Sequence, residues 1–328
     1  MSERPPQFLA LAGPTATGKT DLSLAVAARV NVEVISMDSR QVYRGMDIGT
    51  DKVSRSARAR VPHHGLDSIS PDERYSAGRF ARDARAWIDE IRTRGRLPLL
   101  VGGTGFFLRA VVDPVFAEPP LDPQRVDALR TYLRGQSRER LSRWVEHLDP
   151  ERAPLAREGG PQRLARTLEV ALLSGRPLSW WHRAAPTEAS GLPGVIVVLD
   201  LPREEMHRRI DERVGGMVER GLVEEVRGLL AAGYREDAPG MTGTGYREIA
   251  AYLRGEVSLE GAVEEIRSNT RKYARRQLTW YRHQMPDSAV RVDATAPLHE
   301  QVDVALAAFE RAGGTLPWKD GVQHEVGT

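Results

Sequence analysis

Gly13-Pro14-Thr15-Ala16-Thr17-Gly18-Lys19-Thr20 decides the fold of this chain. The stretch satisfies the pattern G-x-x-x-x-G-K-[ST] at every specified position. Phe8-Leu9-Ala10-Leu11-Ala12 reads as a short buried strand entering it, and residues 21–29, with Leu22, Ala25 and Val26 on one face, read as the helix leaving it. A chance glycine-rich turn has no reason to carry both flanks. In a phosphate-binding loop of this kind, successive backbone N–H groups face a di- or triphosphate and the helix N-terminus adds positive potential. Lys19 is expected to reach the terminal phosphates, and the Thr20 hydroxyl to sit on Mg²⁺.

Outward from the loop, the first third of the chain alternates strand and helix, as a parallel sheet covered on both faces does. A β-branched run at 32–37 ends at Asp38. A helical pattern at about 77–94 carries Phe80, Ala84, Trp87, Ile88 and Ile91, and residues 97–101 form the next strand, running into Gly102-Gly103-Thr104-Gly105. The strand signal then stops between about 118 and 192, where three amphipathic helices are expected near 123–134, 137–147 and 161–174. It resumes at 195–199. A long helix follows from 203 to about 230, interrupted at Gly215-Gly216, then a loop around 241–247, a helix at 259–283, a last strand near 289–292 and a last helix near 297–312. The expectation is an α/β fold: a P-loop core with a mostly parallel sheet flanked by helices, plus an inserted all-helical domain. The core takes residues 1–117 and 193–315, the insert takes 118–192, and 316–328 is expected to be a disordered tail.

Composition bounds the function. The chain has 328 residues, 41% hydrophobic and 28% charged, as a soluble globular protein does. It has no cysteine, which excludes disulfides, a thiolate nucleophile and Cys-ligated zinc. The first apolar run is too short to span a membrane and leads straight into the phosphate loop, so a cytoplasmic protein without a membrane partner is expected. Net charge is only +2, yet lysine occurs just at Lys19, Lys52, Lys272 and Lys319, and arginine supplies the rest of the positive charge.

Three further stretches carry chemistry. Asp38 follows the second strand, and ligands of open parallel sheets bind at the carboxyl ends of strands. It reads as a group near the phosphate loop, as a helix N-cap, or as a carboxylate helping to hold Mg²⁺ through water, and spacing does not choose. Gly102-Gly103-Thr104-Gly105 ends another strand on the same sheet edge, which places Thr104 near the phosphate or substrate. On the 259–283 helix, Leu259, Val263, Ile266, Thr270, Tyr273, Gln277 and Trp280 follow inward spacing, while Arg267, Arg271, Lys272, Arg275, Arg276 and Arg282 lie elsewhere. Arg271 with Arg275 and Lys272 with Arg276 are like charges at i,i+4, unfavourable in an isolated helix. An external polyanion would relieve them, with Trp280 or Tyr281 stacking on bases; a solvated basic face is the other reading. His63-His64 lacks the spacing of a metal site, so a structural role is expected.

Taken together and in order, these stretches resemble the tRNA dimethylallyltransferases, also called tRNA isopentenyltransferases. The resemblance rests on 13–20, on Asp-Ser-Arg-Gln-Val-Tyr-Arg-Gly-Met-Asp-Ile-Gly-Thr-Asp-Lys at 38–52, and on His63-His64, Tyr75-Ser76-Ala77 and Gly102-Gly103-Thr104-Gly105. It continues through Pro161-Gln162-Arg163, 174–178, Arg209-Ile210-Asp211-Glu212-Arg213-Val214, Gly245-Tyr246-Arg247-Glu248 and Arg275-Arg276-Gln277-Leu278-Thr279-Trp280. It covers about residues 7–285. Phe107 stands where the family often has tyrosine, and Gly159-Gly160 where an Asn-Asp pair is common. With no cysteine the zinc finger of some eukaryotic members is not expected, and the resemblance is to the bacterial type.

The resemblance implies transfer of a dimethylallyl group from dimethylallyl diphosphate to N6 of the adenosine 3′ of the anticodon. Gly13, Pro14, Thr15, Ala16, Thr17, Gly18, Lys19 and Thr20 would hold the leaving diphosphate, with Lys19, Arg213 and Mg²⁺ on Thr20 absorbing its charge. Asp38 would take the N6 proton and Thr104 would contact the leaving oxygen. The tRNA anticodon stem-loop would be held by Asp38, Ser39, Arg40 and Gln41 around the target base, and by Gln162, Arg163, Leu164, Ala165 and Arg166. Thr242, Gly243, Thr244, Gly245, Tyr246 and Arg247 would join them, as would Arg275, Arg276, Gln277, Leu278, Thr279, Trp280, Tyr281 and Arg282. A monomer is expected. Rivals are a nucleotide kinase, which gives no reason for the basic-aromatic helix, an adenylate isopentenyltransferase acting on free AMP, and a GTPase-like switch, for which no Asn-Lys-x-Asp motif exists.

Overall fold

A computed structural model describes residues 4–113, 115–116, 119, 121–184 and 187–319. The chain divides into two compact units, Met1–Asp113 with Gly191–Thr328, and Pro114–Ser190. Among the described residues no helix is long and apolar enough to cross a membrane.

The first unit begins with β1 (Phe8–Ala12), α1 (Lys19–Arg29), β2 (Val32–Ser36), α2 (Arg55–Arg60), β3 (His63–His64), α3 (Ala77–Thr93), β4 (Leu97–Gly102) and α4 (Gly105–Val112). The second unit holds β5 (Val115–Phe116), α5 (Pro123–Arg134), α6 (Arg138–Leu148), α7 (Ala153–Glu158), α8 (Gly160–Ser174), α9 (Leu178–Ala184) and β6 (Thr187–Ala189). The first unit then resumes with β7 (Gly194–Asp200), α10 (Arg203–Glu219), α11 (Leu222–Ala231), α12 (Tyr246–Leu253), α13 (Leu259–Gln284), β8 (Val290–Asp293) and α14 (Leu298–Arg311).

Six strands form one sheet in the order β3-β2-β4-β1-β7-β8, and every pairing is parallel. β1 is central, with Leu9 opposite Leu99 of β4 on one side and Val195 of β7 on the other. All five of its residues are buried, as a strand covered on both faces requires. Strand alternation divides them. Leu9 and Leu11 enter the core formed with Leu22, Val26, Ile210 and Phe309, while Phe8, Ala10 and Ala12 enter the core formed with Phe80, Ile88, Phe107 and Tyr281. From β1 the chain crosses to β2 on one side, and β7 lies on the other. The carboxyl ends of β1, β2 and β4 therefore open side by side at the crevice where such folds bind ligands.

Several boundaries differ from the sequence expectation. The 203–230 helix breaks at Gly221, not at Gly215-Gly216, because Gly221 takes a left-handed φ of 97° while both earlier glycines stay inside α10. Among its described residues the insert contains five helices rather than three, around a core of Leu133, Leu141, Val145, Ala153, Ala156, Leu164 and Leu168, and it also has an antiparallel β5–β6 pair, so it is not wholly helical. The expected disordered tail starts too early. Leu316 is buried, Trp318 bridges antiparallel to Val30, and Lys319 N–H donates to the Arg29 carbonyl at 3.0 Å. Two apolar residues are enough to dock a stretch whose glycines suggest disorder. Residues 320–328 lie outside the described residues.

His63 and His64 have structural partners. Among the described residues no three His, Cys, Asp or Glu side chains cluster as a metal site. His64 Nε2 lies 2.7 Å from the buried Glu33 carboxylate, which also accepts from Arg94 at 2.9 and 2.8 Å and from Arg96 at 3.1 Å. Burial would raise the Glu33 pKa, but the hydrogen bonds from Arg94 and His64 outweigh it and hold the group at about 2 against an ordinary 4.5. A depressed carboxylate stabilises the fold fully above its ordinary value, and that contribution is lost as pH falls from about 4.5 to about 2. Glu33→Gln should therefore flatten the acid limb of stability against pH, measured by urea unfolding. Parallel acid limbs for the two proteins would contradict this.

Candidate active site

The phosphate loop joins β1 to α1. Gly13 has φ 140° and packs so tightly that a Cβ there would stand 2.8 Å from the Leu199 carbonyl oxygen, while Gly18 turns left-handed at φ 81° to start the helix. Thr17 Oγ1 donates to the Pro14 carbonyl at 3.0 Å. Lys19 folds back over the loop, donating to the same Pro14 carbonyl and, at 3.2 Å, to Thr17 Oγ1.

Three charged groups converge here. Burial and the positive charge of Arg213 lower the Lys19 pKa to about 7, against the opposing pull of Asp38. Arg213, from α10, has a buried Nε with no hydrogen-bond partner, and its terminal nitrogen lies 3.8 Å from Asp51. Burial and Arg220 lower its proton affinity, against Asp51 and Asp38. Lys19 and Arg213, close enough for the charge of one to depress the other, form a seat for a polyanion.

That arrangement has a measurable consequence. An anionic ligand at the loop returns Lys19 towards its ordinary pKa, so binding must take up protons from solution at pH above about 7. Calorimetry of inorganic pyrophosphate binding in buffers of different ionisation enthalpy should show that uptake, and Lys19→Arg, which stays charged, should lose most of it. Equal uptake by both proteins would remove Lys19 as the source.

Asp38 follows β2. Its Oδ1 accepts from Arg40 N–H at 2.8 Å, a local turn bond that leaves its second oxygen available. Thr104 caps the end of β4 beside it: its N–H donates to the Met37 carbonyl at 3.2 Å, and its Oγ1 accepts from Ser39 N–H at 3.1 Å. Gly102 permits this approach, because a Cβ there would stand 2.2 Å from the Met37 carbonyl oxygen. Tyr273 of α13 faces Thr104, and burial, then the Asp38 charge, push its phenol up to about 12. The sequence did not mark Tyr273 for the site, since its helical spacing reads simply as an inward aromatic.

Thr20 is exposed on the first turn of α1. A hydroxyl there suits Mg²⁺, which takes one or two protein oxygens, keeps several waters and completes its shell with substrate phosphates. A dedicated cage of carboxylates is unnecessary, and none exists among the described residues.

The expected RNA contacts divide by exposure. Arg275, Arg276, Thr279 and Arg282 are exposed on α13, Leu278 is half-buried there, and Thr242 and Arg247 are exposed with Thr244 half-buried beside them. Ser39 and Arg40 are half-buried beside Asp38. Others are structural instead. Gln277 is buried, Tyr281 is buried with its hydroxyl 3.5 Å from the Gly102 carbonyl, and Trp280 is wedged against Gly105 and Phe106. Tyr246 is buried and donates to Glu225 at 2.7 Å; Gly243 and Gly245 are buried in the turn that starts α12. Gln41 links Ser36 Oγ to the Thr50 carbonyl. In the second unit Gln162 is exposed, Arg163 and Arg166 are half-buried with Ala165, and Leu164 is fully buried in that unit's core. The enclosed side chains of Gln277, Tyr281, Tyr246 and Leu164 cannot stack on bases or touch phosphates, whereas Trp280 and Gln41 are half-buried.

Glu225 is another residue the sequence did not reveal. Its carboxylate accepts from Asp47, Ile48 and Gly49 N–H at 2.8, 2.7 and 3.0 Å, as well as from Tyr246, and so fixes the loop that carries Asp51. Only the fold brings those positions together, and no local pattern announces it.

The family model of IPP transferase matches residues 41–284, and that of isopentenyl transferase matches residues 6–60. A tRNA dimethylallyltransferase of Geobacillus thermodenitrificans is 42% identical over 85% of this chain and 89% of its own length. One from Thermomicrobium roseum is 44% identical over 86% and 85%. Among solved structures, a full-length tRNA isopentenylpyrophosphate transferase from Bacillus halodurans superposes with a TM-score of 0.66 at 34% identity, covering 93% of this chain and 97% of that one. A eukaryotic dimethylallyltransferase acting on tRNA superposes with a TM-score of 0.77 at 25% identity, covering 94% and 80%.

Proposed function

The chain belongs to the IPP transferase family, the tRNA dimethylallyltransferases, and it transfers a dimethylallyl group to tRNA; from that premise we propose how its own residues divide the reaction. The donor is dimethylallyl diphosphate and the acceptor is N6 of the adenosine 3′ of the anticodon. In the transfer the C1–oxygen bond to diphosphate breaks, the N6–C1 bond forms, and one N6 proton leaves.

The exocyclic amine is a weak nucleophile because its lone pair is delocalised into the ring, whereas an allylic diphosphate ionises readily. The protein therefore has two tasks: to stabilise charge on the leaving group and to receive a proton. The phosphate-loop amides, Lys19 and Arg213 perform the first, and Asp38 performs the second through the oxygen not used by Arg40. Thr104 lines the path between them and contacts the leaving oxygen. The Thr20 hydroxyl would hold Mg²⁺, which would supply neutralisation of the diphosphate charge.

The target base must leave the anticodon-loop stack to reach Asp38, as single-stranded loops permit. Ser39 and Arg40 border it, and the exposed Arg275, Arg276, Thr279 and Arg282, with Thr242 and Arg247, hold the loop phosphates. Exposed Gln162, with Arg163 and Arg166, supplies further contacts from the second unit. The enzyme acts as a cytoplasmic monomer.

The position of Asp38 supports this reading most. It is close enough to Lys19 and Arg213 to alter the proton affinity of both, and Thr104 is fixed beside it through Ser39. A transfer assay with labelled dimethylallyl diphosphate, Mg²⁺, unmodified tRNA and free AMP tests it. Label in tRNA and not in AMP is expected. Label in AMP alone would keep the chemistry and overturn the acceptor, and phosphate release from ATP without either would return the chain to the kinases.

A further inference from the structure

The inward edge of α13 presents Tyr273, Gln277 and Tyr281 at i, i+4 and i+8, so the three side chains stand above one another on one face. All three reach the two glycine-rich loops. Tyr273 meets Thr104, and the Tyr281 hydroxyl meets the Gly102 carbonyl and the Gly13 backbone. Between them Gln277 reaches both loops at once. Its Oε1 accepts from Thr15 N–H of the phosphate loop at 2.9 Å, and its Nε2 donates to the Gly103 carbonyl at 2.7 Å. The fit is close: a Cβ on Gly103 would stand 2.4 Å from that Nε2 and 3.2 Å from the Gly13 carbonyl oxygen.

We propose that Gln277 is a positioning residue for the transfer reaction. It fixes the separation between the loop that holds the leaving diphosphate and the loop that carries Thr104. A buried amide satisfied at both ends holds two backbone segments in register, and neither end can be lost without leaving a buried polar group unpaired. A neutral carboxamide suits both partners and an ionised carboxylate does not, since one atom must accept and the other must donate. The same helix exposes Arg275, Arg276 and Thr279 on its other side, so the RNA-facing element also braces the catalytic loops. The inference rests on the prenyl-transfer reading for its kinetic arm, and not for its binding arm.

The test combines two variants and three readouts. Gln277→Leu removes both hydrogen bonds. It is expected to lower inorganic pyrophosphate affinity, measured with Mg²⁺ by calorimetry, by about tenfold, and kcat by more, with tRNA affinity unchanged. Gln277→Glu keeps the acceptor for Thr15, but when ionised it places a carboxylate oxygen against the Gly103 carbonyl; once protonated it can donate there as the amide did. Its kcat relative to the natural protein should therefore rise as pH falls, a signature that survives if Gln277→Leu does not fold. Loss of tRNA affinity in step with kcat would overturn the proposal and make Gln277 an RNA contact. So would unchanged pyrophosphate affinity and kcat in Gln277→Leu, or a flat kcat ratio in Gln277→Glu. If the natural protein transferred no prenyl group, the function would fall while the pyrophosphate arm still decided the role of Gln277.

Discussion

Asp38→Asn is expected to lower kcat for prenyl transfer by about 10²–10⁴-fold, the range a positioned general base contributes, with tRNA affinity nearly unchanged. The substitution is chosen for what it preserves. An asparagine Oδ1 can still accept the 2.8 Å bond from Arg40 N–H, so the turn after β2 keeps its shape, and Ser39 keeps its bond to Thr104. What is lost is the negative charge and the capacity to take a proton from N6. Single-turnover kinetics on preformed enzyme–tRNA complex measure this step separately from product release. If Asp38→Asn retains most of its rate, the carboxylate is a hydrogen-bond partner of the base and nothing more.

Lys19→Ala is expected to lower kcat/KM for the prenyl donor by about 10²–10³-fold, the cost of removing one group aimed at developing charge in an active site. Its effect on stability should run the other way. In the free protein the ammonium is buried, sits beside Arg213 and is satisfied mainly by the loop's own Pro14 carbonyl and Thr17 hydroxyl, and its pKa of about 7 records how unfavourable its charge is there. Removing it relieves that repulsion, so the melting temperature of the free protein should stay level or rise. Activity and stability changing in opposite directions marks a group held in strain for its ligand. A fall in both together would mean that Lys19 is chiefly structural.

Much of this site can be read from the sequence because its chemistry is local. Eight consecutive residues define the phosphate loop, Asp38 directly follows a β-branched run, and Thr104 sits inside a glycine turn at the end of another strand. The sheet then brings them together, because parallel strands present their carboxyl ends along one edge. What sequence does not show is long-range contact. Gln277 has inward spacing, yet the resemblance assigned the whole 275–282 stretch to RNA, and only the fold reveals that its amide spans Thr15 and Gly103, 262 and 174 residues away. Tyr281 has the composition of a stacking platform and is enclosed, and Glu225 gathers three backbone amides of a loop far from it in sequence. The Gly221 break was misplaced for a related reason: a glycine pair suggests a break, but the backbone breaks where a glycine takes positive φ. Docking of Trp318 depends on α1, which nothing near residue 318 specifies.

The most direct test of the whole account is nucleoside mass spectrometry of nuclease-digested tRNA. Unmodified tRNA carrying an adenosine 3′ of its anticodon would be incubated with dimethylallyl diphosphate, Mg²⁺ and either the natural protein or Asp38→Asn. One dimethylallyl group on N6 of that adenosine is expected with the natural protein, and a trace at most with the variant. Modification at another nucleoside, or equal modification by the two proteins, would contradict it.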